Sequence, residues 1–175
     1  MSTQSAFIVL SSIALISIAN PTKAQGMGEY SCLACGNWMP VGLNFGGLSR
    51  WENGGNHGSV LLGAELSVLH IGRDSQRFGW GGYVDTTYDT HAKLLRSSVG
   101  PEVIFMGSSL AVGVDLGPLI EWNDTSSRIG MRARFFIPIL FVTPYVGSTG
   151  TFVGGNSVSI EGGLLVKYPI LIREN

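Results

Sequence analysis

Charge is scarce in this chain. Asp, Glu, Lys and Arg make up 13% of its 175 residues, about half the usual ~25%. Eleven basic against twelve acidic side chains leave a formal net charge of −1. A nucleic-acid partner calls for a clustered basic surface, so that class is excluded. Disorder is excluded too, because disordered chains are polar and highly charged, and this one is 45% hydrophobic with 25 glycines. Long apolar runs are missing beyond the first two dozen residues: no later stretch of ~18 apolar residues escapes interruption by charges or turn formers, so no membrane-spanning helix is expected there. Cysteine and histidine are also few, at two and three residues. Neither a second Cys pair nor a suitably spaced His pair completes a zinc site, and no metal or cofactor is expected.

The one apolar run, Ala6 to Ala19, has the length of a signal-peptide core and falls short of the ~20 residues of a bilayer-spanning helix. Asn20-Pro21 breaks it, and Thr22-Lys23-Ala24 offers small residues for cleavage after Ala24. No Lys or Arg precedes the core, and an uncleaved anchor helix is the alternative. Residues 1–24 are thus read as an export signal, 25–57 as an N-terminal segment with a Cys pair and a possible first strand, and 58–175 as the folded body.

From Gly58 onward the hydrophobic period is two, which places alternate residues on opposite faces of a strand. In Ser59–Ile71, Val60, Leu62, Ala64, Leu66 and Val68 share one face, while Gly63, Glu65 and Ser67 share the other. The pattern recurs over Phe78–Asp89, Leu95–Val103, Leu110–Trp122, Arg128–Phe135 and Val158–Tyr168; Ile139–Gly147 is a further strand, apolar on both faces, whose orientation the pattern does not fix, and Pro40–Leu48 is a possible eighth strand. Arg73–Gln76 and Asn123–Ser126 read as turns, Trp51–Gly58 and Gly147–Asn156 as glycine-rich mobile loops without a phosphate-binding motif.

Alternation alone suits both a soluble sheet with its apolar face inward and an inverted barrel with that face in lipid. Four observations favour the second. Most of these strands are 10 to 14 residues long, against ~5–6 for a typical globular strand and ~9–11 for a tilted membrane-spanning one. The polar faces are small and glycine-rich, as a narrow side-chain-filled lumen requires. Their charges are of mixed sign. Aromatics cluster near strand ends at Trp80, Tyr88, Trp122, Tyr145 and Tyr168, as in interfacial girdles. The expected fold is all-β: an antiparallel up-and-down transmembrane β-barrel of about eight strands, after an N-terminal signal peptide. A soluble periplasmic sandwich or lipocalin-like barrel is the alternative.

Three short stretches, Gly81–Asp85 (GGYVD), Ser98–Glu102 (SVGPE) and Leu164–Ile170 (LLVKYPI), carry a resemblance. The segment from Gly58 to Ile170 resembles small eight-stranded outer-membrane β-barrel proteins of Gram-negative bacteria. The resemblance implies insertion in the outer membrane of the cell envelope, with membrane lipid and the barrel-assembly machinery as partners. Many such barrels end on an aromatic residue, whereas this sequence ends Ile172-Arg173-Glu174-Asn175, with Tyr168 the nearest aromatic.

Chemistry-bearing residues are few. Cys32 and Cys35 form a Cys-x-x-Cys in which a local disulfide is one reading and free thiols another. A redox role would want a βαβ setting, and haem attachment a His where Gly36 stands. Asp89 and His91 could serve as a general-base pair or simply form a polar turn. Glu65, Asp85, Glu102, Asp115, Glu121 and Glu161 face the lumen with Arg96, Arg128, Arg132, Arg134 and Lys167. They could line a narrow conducting path or pair into a network that closes it, with Glu121 and Asp115 the nearest partners for the arginines of Arg128–Phe135. The expected function is structural or interactive and non-enzymatic, with a side-chain-filled polar lumen. A narrow pore, or a soluble carrier of a small apolar ligand, are the alternatives. No specific ligand is identifiable.

Overall fold

The computed structural model describes residues 35–72, 77–107 and 110–173. The expected leader 1–24 and the turn at Arg73–Gln76 lie outside them. The described residues contain no helix. They form eight strands: β1 (Gly36–Glu52), β2 (Gly55–Ile71), β3 (Phe78–Asp89), β4 (Leu94–Met106), β5 (Ala111–Trp122), β6 (Ser127–Phe136), β7 (Val142–Val153) and β8 (Ser157–Arg173). Each pairs antiparallel with the next, and β8 returns to β1, so the sheet closes on itself. Closure removes the free edges that an open sheet would expose.

The two-residue period sorts side chains between wall and lumen. On β5, Val114, Leu116 and Ile120 are 44–48% exposed on the outside, while Asp115, Leu119 and Glu121 are each 1% exposed within. The other strands alternate likewise: valine, leucine, isoleucine and phenylalanine cover the outer wall, and charged, hydroxyl and glycine residues share the interior with buried apolar ones such as Leu48, Leu61, Leu94 and Leu119. Apolar packing inside is confined to small groups such as Phe136, Tyr145 and Leu165 with Ile104 against them.

The strands are staggered. Paired residues followed once round the barrel run from Gly42 through Glu65, Asp85, Ser98, Leu119, Gly130, Thr151 and Ser157, and reach β1 again at Glu52, ten residues further along. A stagger of this kind tilts the strands by about 35–45° to the barrel axis. Glycine permits the close strand approach this needs. A Cβ on inward-facing Gly81 would lie 1.8 Å from the Val68 carbonyl oxygen of the neighbouring strand. At Gly113 the missing side chain makes room for its register partner, as a Cβ there would fall 2.2 Å from the Phe136 ring.

Both stretches expected to be glycine-rich loops are largely strand. β1 runs to Glu52 and β2 starts at Gly55, leaving a tight turn with Asn53 at φ 51° and Gly54 at φ 77°. Two successive positive φ values are what a two-residue hairpin demands, and Asn-Gly adopts them readily. β7 likewise continues to Val153, with the turn reduced to Gly154–Asn156. Its inward residues there are Thr149 and Thr151, polar enough to hide the strand in a hydrophobicity pattern. The barrel therefore begins at Gly36, inside the stretch 25–57, and β1 is a full strand of 17 residues in place of the nine-residue Pro40–Leu48. At the other end of the chain, β8 outlasts β7, whose pairing stops at Val142↔Val166. Lys167 N–H donates to Phe141 on that side, so Pro169, two residues on, faces the free edge and offers it no donor, which blunts further strand addition.

Replacing Gly81 with Ala is expected to destabilise the barrel by about 1–3 kcal/mol, the usual range for forced overpacking. Gly58→Ala, where an added Cβ meets nothing within 4 Å, is expected to stay within about 0.5 kcal/mol of wild type. Urea unfolding midpoints of the two variants in one lipid system check both.

Candidate functional site

The lumen is crossed by one continuous chain of ion pairs. It starts near the hairpin turns after β1, β3 and β5, where Arg50 meets Asp89 at 3.4 Å and Glu121 at 2.8 Å. Arg96 joins Glu121 to Glu161, at 2.9 Å to each. Arg132 joins Glu161 to Asp85, with Nε and Nη1 at 2.6 Å from their acceptors. Arg134 reaches Asp85 at 3.7 Å, Glu65 at 2.5 Å and Asp115 at 2.7 Å. Lys167 pairs with Glu65 and lies 3.4 Å from Glu102.

Neutral groups brace this chain. The Arg134 guanidinium lies between the rings of Tyr83 and Tyr145, 5.5 and 5.2 Å from their centroids, a cation–π arrangement favoured away from water. Tyr145 donates to the Asn44 side-chain oxygen, and Asn44 Nδ2 donates to Asp85. Gly46 creates the space, since a Cβ there would be 2.5 Å from the Tyr145 hydroxyl. Seven carboxylates (Glu65, Asp85, Asp89, Glu102, Asp115, Glu121, Glu161) share five cations (Arg50, Arg96, Arg132, Arg134, Lys167). Within the network, Glu102 Oε2, Asp115 Oδ1 and Glu121 Oε2, and likewise Arg50 Nε and Arg134 Nη1, have no hydrogen-bond partner.

Ten of the eleven charges assigned to the lumen from the sequence fall in this chain: Glu65, Asp85, Arg96, Glu102, Asp115, Glu121, Arg132, Arg134, Glu161 and Lys167. Arg128 stands apart at the rim, making two hydrogen bonds of 2.7 Å to Glu52. Asp115 pairs with Arg134, whereas Glu121, the register partner of Arg128, turns to Arg50 and Arg96. Sequence reasoning passed over Arg50, Glu52 and Asn44. Arg50 and Asn44 continue the inward face Gly42, Asn44, Gly46, Leu48, Arg50, so alternation within β1 was the available signal. Cys35 is buried just before β1, and Cys32 lies outside the described residues.

The hairpin end holds a recess of about 130 Å³ above the ion-pair chain. Arg50, Asp89, Glu52, Arg128 and Asn123 line it with His57 and His91, whose rings stack with centroids 5.7 Å apart. Asp89 does not hold the His91 imidazole. Its Oδ1 accepts from the Ser59 hydroxyl and from the backbone N–H groups of His91 and Ala92, so it caps the β3–β4 turn. His70 is remote, at the opposite end, bonded to Asn37 at 2.8 Å. At the turn after β1, the hydrogen bonds from Arg128 hold the Glu52 carboxyl below its ordinary pKa, because they favour the ionised form.

No family model and no curated relative matches the chain. Among solved structures it is similar to Ail, the attachment invasion locus protein of Yersinia pestis, at 10% identity over 76% of this chain and 99% of that one, with a TM-score of 0.45. The same protein in complex with the heparin analogue sucrose octasulfate gives 10% identity, the same coverage and 0.41. Neisserial surface protein A gives 11% identity over 75% and 97%, with 0.42. The barrel assignment rests on the strand register of this chain itself.

Arg132→Gln takes from Asp85 and Glu161 the buried cation they share, leaving Glu161 with Arg96 alone and Asp85 with Arg134 at 3.7 Å, and removal of one partner from such a pair typically costs about 3–5 kcal/mol. Arg128→Gln, at the rim where its pair with Glu52 is 17–22% exposed, is expected to cost less, about 1 kcal/mol. Urea midpoints of the refolded variants test this contrast; equal effects would contradict it.

Proposed function

We propose that the protein is an outer-membrane barrel of structural or interaction type, exported to the Gram-negative envelope, non-enzymatic, with a lumen closed by its own side chains. The observation that carries this reading is the inverted distribution of polarity. Water-exposed walls of soluble sheets are polar. Here Leu43, Val68, Val99, Leu116, Val146 and Ile160, on six different strands, are each about half exposed, a surface suited to hydrocarbon. Aromatic side chains bracket that band. Trp51, Trp122 and Phe152 sit near the hairpin turns, and Trp38, Trp80 and Tyr168 near the opposite end, as interfacial girdles do. With eight strands, the start of β1 and the end of β8 lie at the same end of the barrel.

The same geometry argues against both alternatives. A lipocalin-like carrier needs an apolar interior for its ligand, but this interior is charged. A pore needs a continuous aqueous path, and the ion-pair chain from Asp89 to Glu102 crosses the lumen with each member less than a tenth exposed. Against catalysis, Asp89 is engaged with backbone N–H groups and gives the imidazole of His91 no orienting partner. Membrane lipid and the barrel-assembly machinery are the partners this reading implies.

The reading is tested by fractionation of expressing cells and gel mobility of the detergent-extracted protein before and after boiling. Recovery in the outer membrane with a heat-dependent shift is the expected result, and recovery in the soluble periplasm contradicts it. In planar bilayers the folded protein is expected to give no steady conductance. Leu116→Arg, at mid-height on the outer wall, is expected to lower stability in bilayers by about 2–4 kcal/mol. On a water-facing wall the same substitution would change stability by no more than about 0.5 kcal/mol.

A further inference from the structure

Glu102 of β4 and Asp115 of β5 stand opposite each other in register on neighbouring strands, and both point into the lumen, fully buried. Side chains placed so have Cβ atoms about 4.5–5.5 Å apart, and like charges there repel. The two strands approach closely beside the pair. A Cβ on Gly100 would lie 2.0 Å from the Leu116 carbonyl oxygen, and one on Gly117 would lie 2.1 Å from that of Val99. Glycine also takes the inward positions around the two acids. Gly81 is the register partner of Glu102 on β3, Gly100 precedes Glu102 on its own face, and Gly113 and Gly117 flank Asp115. None of them brings a side-chain donor.

The cations that reach this pair are shared with other acids. Lys167 lies 3.4 Å from Glu102 but also pairs with Glu65. Arg134 meets Asp115 at 2.7 Å, and it meets Glu65 at 2.5 Å and Asp85 at 3.7 Å as well. One oxygen of each acid, Glu102 Oε2 and Asp115 Oδ1, is sealed from water and accepts no hydrogen bond. The donors nearby are committed elsewhere. Arg134 Nη1 is turned to Asp85, and Arg132 Nη2 to Glu161. The hydroxyls of Tyr83, Tyr145 and Ser67 bond to Ser98, Asn44 and Glu65. Two buried carboxylate oxygens without a donor carry the full cost of desolvation. A metal ion is not the remedy, since no group of three or more His, Cys, Asp or Glu among the described residues is placed to hold one. The charge count points the same way. Asp89 at the rim draws on the Ser59 hydroxyl and two backbone N–H groups. The other six carboxylates of the network face five cations, and one bound proton would bring them level.

We propose that Glu102 and Asp115 form a proton-binding site in the lumen wall: one proton, taken from solvent, is shared between Glu102 Oε2 and Asp115 Oδ1 as an O–H···O⁻ hydrogen bond. The pair then carries one negative charge in place of two, and bonds of this kind are shorter and stronger than neutral ones. Lys167 at Glu102 Oε1 and Arg134 at Asp115 Oδ2 match the remaining charge. Among the groups facing the pair, Glu65 of β2 and Asp85 of β3 favour the bound proton, while Arg132 and Arg134 of β6 and Lys167 of β8 oppose it. β1 and β7 bring no charged side chain to this half of the lumen. Loss of the proton would set two like charges side by side between β4 and β5, so the seal of the lumen toward the end away from the hairpin turns includes that proton. The inference goes beyond the closed-lumen reading, which ion pairs alone could satisfy.

The test is carbon NMR of the full chain refolded in phosphatidylcholine bilayers, with the side-chain carboxyls of Asp and Glu labelled. A carboxyl carbon resonates at different positions when ionised and when protonated. Ordinary Asp and Glu, with pKa values of about 3.9 and 4.3, are ionised at neutral pH. The expected result at neutral pH is one Asp and one Glu signal between the two positions, moving to the ionised position together as pH is raised. Asp115→Asn and Glu102→Gln assign them. In each variant the remaining partner is expected at the ionised position, because the new amide donates where the proton did. Glu52→Gln, at the rim, is expected to move neither signal. Wild-type carboxyls that are all ionised at neutral pH overturn the proposal. So does a single intermediate signal, or a partner that stays protonated in the other's variant. The wild-type spectrum decides the first two, so the proposal stays testable if a variant does not refold. A wild type that keeps its heat-dependent gel mobility while showing only ionised carboxyls has lost the shared proton and kept the barrel reading; loss of that mobility is the failure of the barrel reading itself.

Discussion

Charge buried away from water has to be matched, and that requirement organises this barrel. Desolvating a guanidinium or a carboxylate costs several kcal/mol per ion unless well-placed partners compensate. Arg96, Arg132 and Arg134 are each 1% exposed, and each meets two or more acidic side chains. Their partners come from other strands, some distant in sequence: Arg134 joins Glu65 of β2, Asp85 of β3 and Asp115 of β5. Pairing is possible only when the sheet has closed with its polar face inward, so the interior chemistry and the outward turn of the apolar face are one constraint seen from two sides.

Register follows from the same constraint. A slip of one residue flips every side chain of a strand to the other face. On β6 that would carry Arg132 and Arg134 to the outer wall and bring Met131 and Ala133 in, stranding Asp85 and Asp115 without their cations and leaving Glu161 with Arg96 alone. Glycine makes the correct register physically attainable. Gly81 and Gly113 face inward where a neighbouring carbonyl or an aromatic ring leaves no room for a Cβ, and Gly46 does the same for the hydroxyl that Tyr145 sends to Asn44. The small residues of the polar face thus set how closely the strands and their large partners can approach.

Much of this was legible in the sequence, for a physical reason. A strand with one face in the lumen and one outside must alternate, and β5 from Ala111 to Trp122 does so without a break. The limits of legibility lie where alternation is present but not hydrophobic. The far half of β7 alternates Thr149 and Thr151 with Ser148 and Gly150, so it reads as a loop. β1 alternates Gly42, Asn44 and Gly46 with apolar residues, and its end beside Asn53-Gly54 reads as a glycine-rich tail when it is a strand and a tight turn. Which carboxylate meets which arginine was illegible from neighbouring strands alone. Glu121 lies opposite Arg128 in register yet reaches Arg50 and Arg96 across the lumen, because long side chains in a narrow barrel span it. The recess at the hairpin end could not be read in advance, since it is assembled from the ends of β1, β2, β5 and β6 and the β3–β4 turn.

The central claim is that the apolar wall lies in hydrocarbon with aromatic girdles at its two edges. The four tryptophans test it directly. Trp51 and Trp122 stand near one end of the barrel, and Trp38 and Trp80 near the other. The measurement is fluorescence quenching of the folded protein in bilayers whose lipids carry bromine at defined depths. Strong quenching by bromines close to the headgroups and weak quenching by bromines at the chain ends is the predicted result. Quenching that is strongest at the bilayer centre, or absent at every depth, would contradict the account.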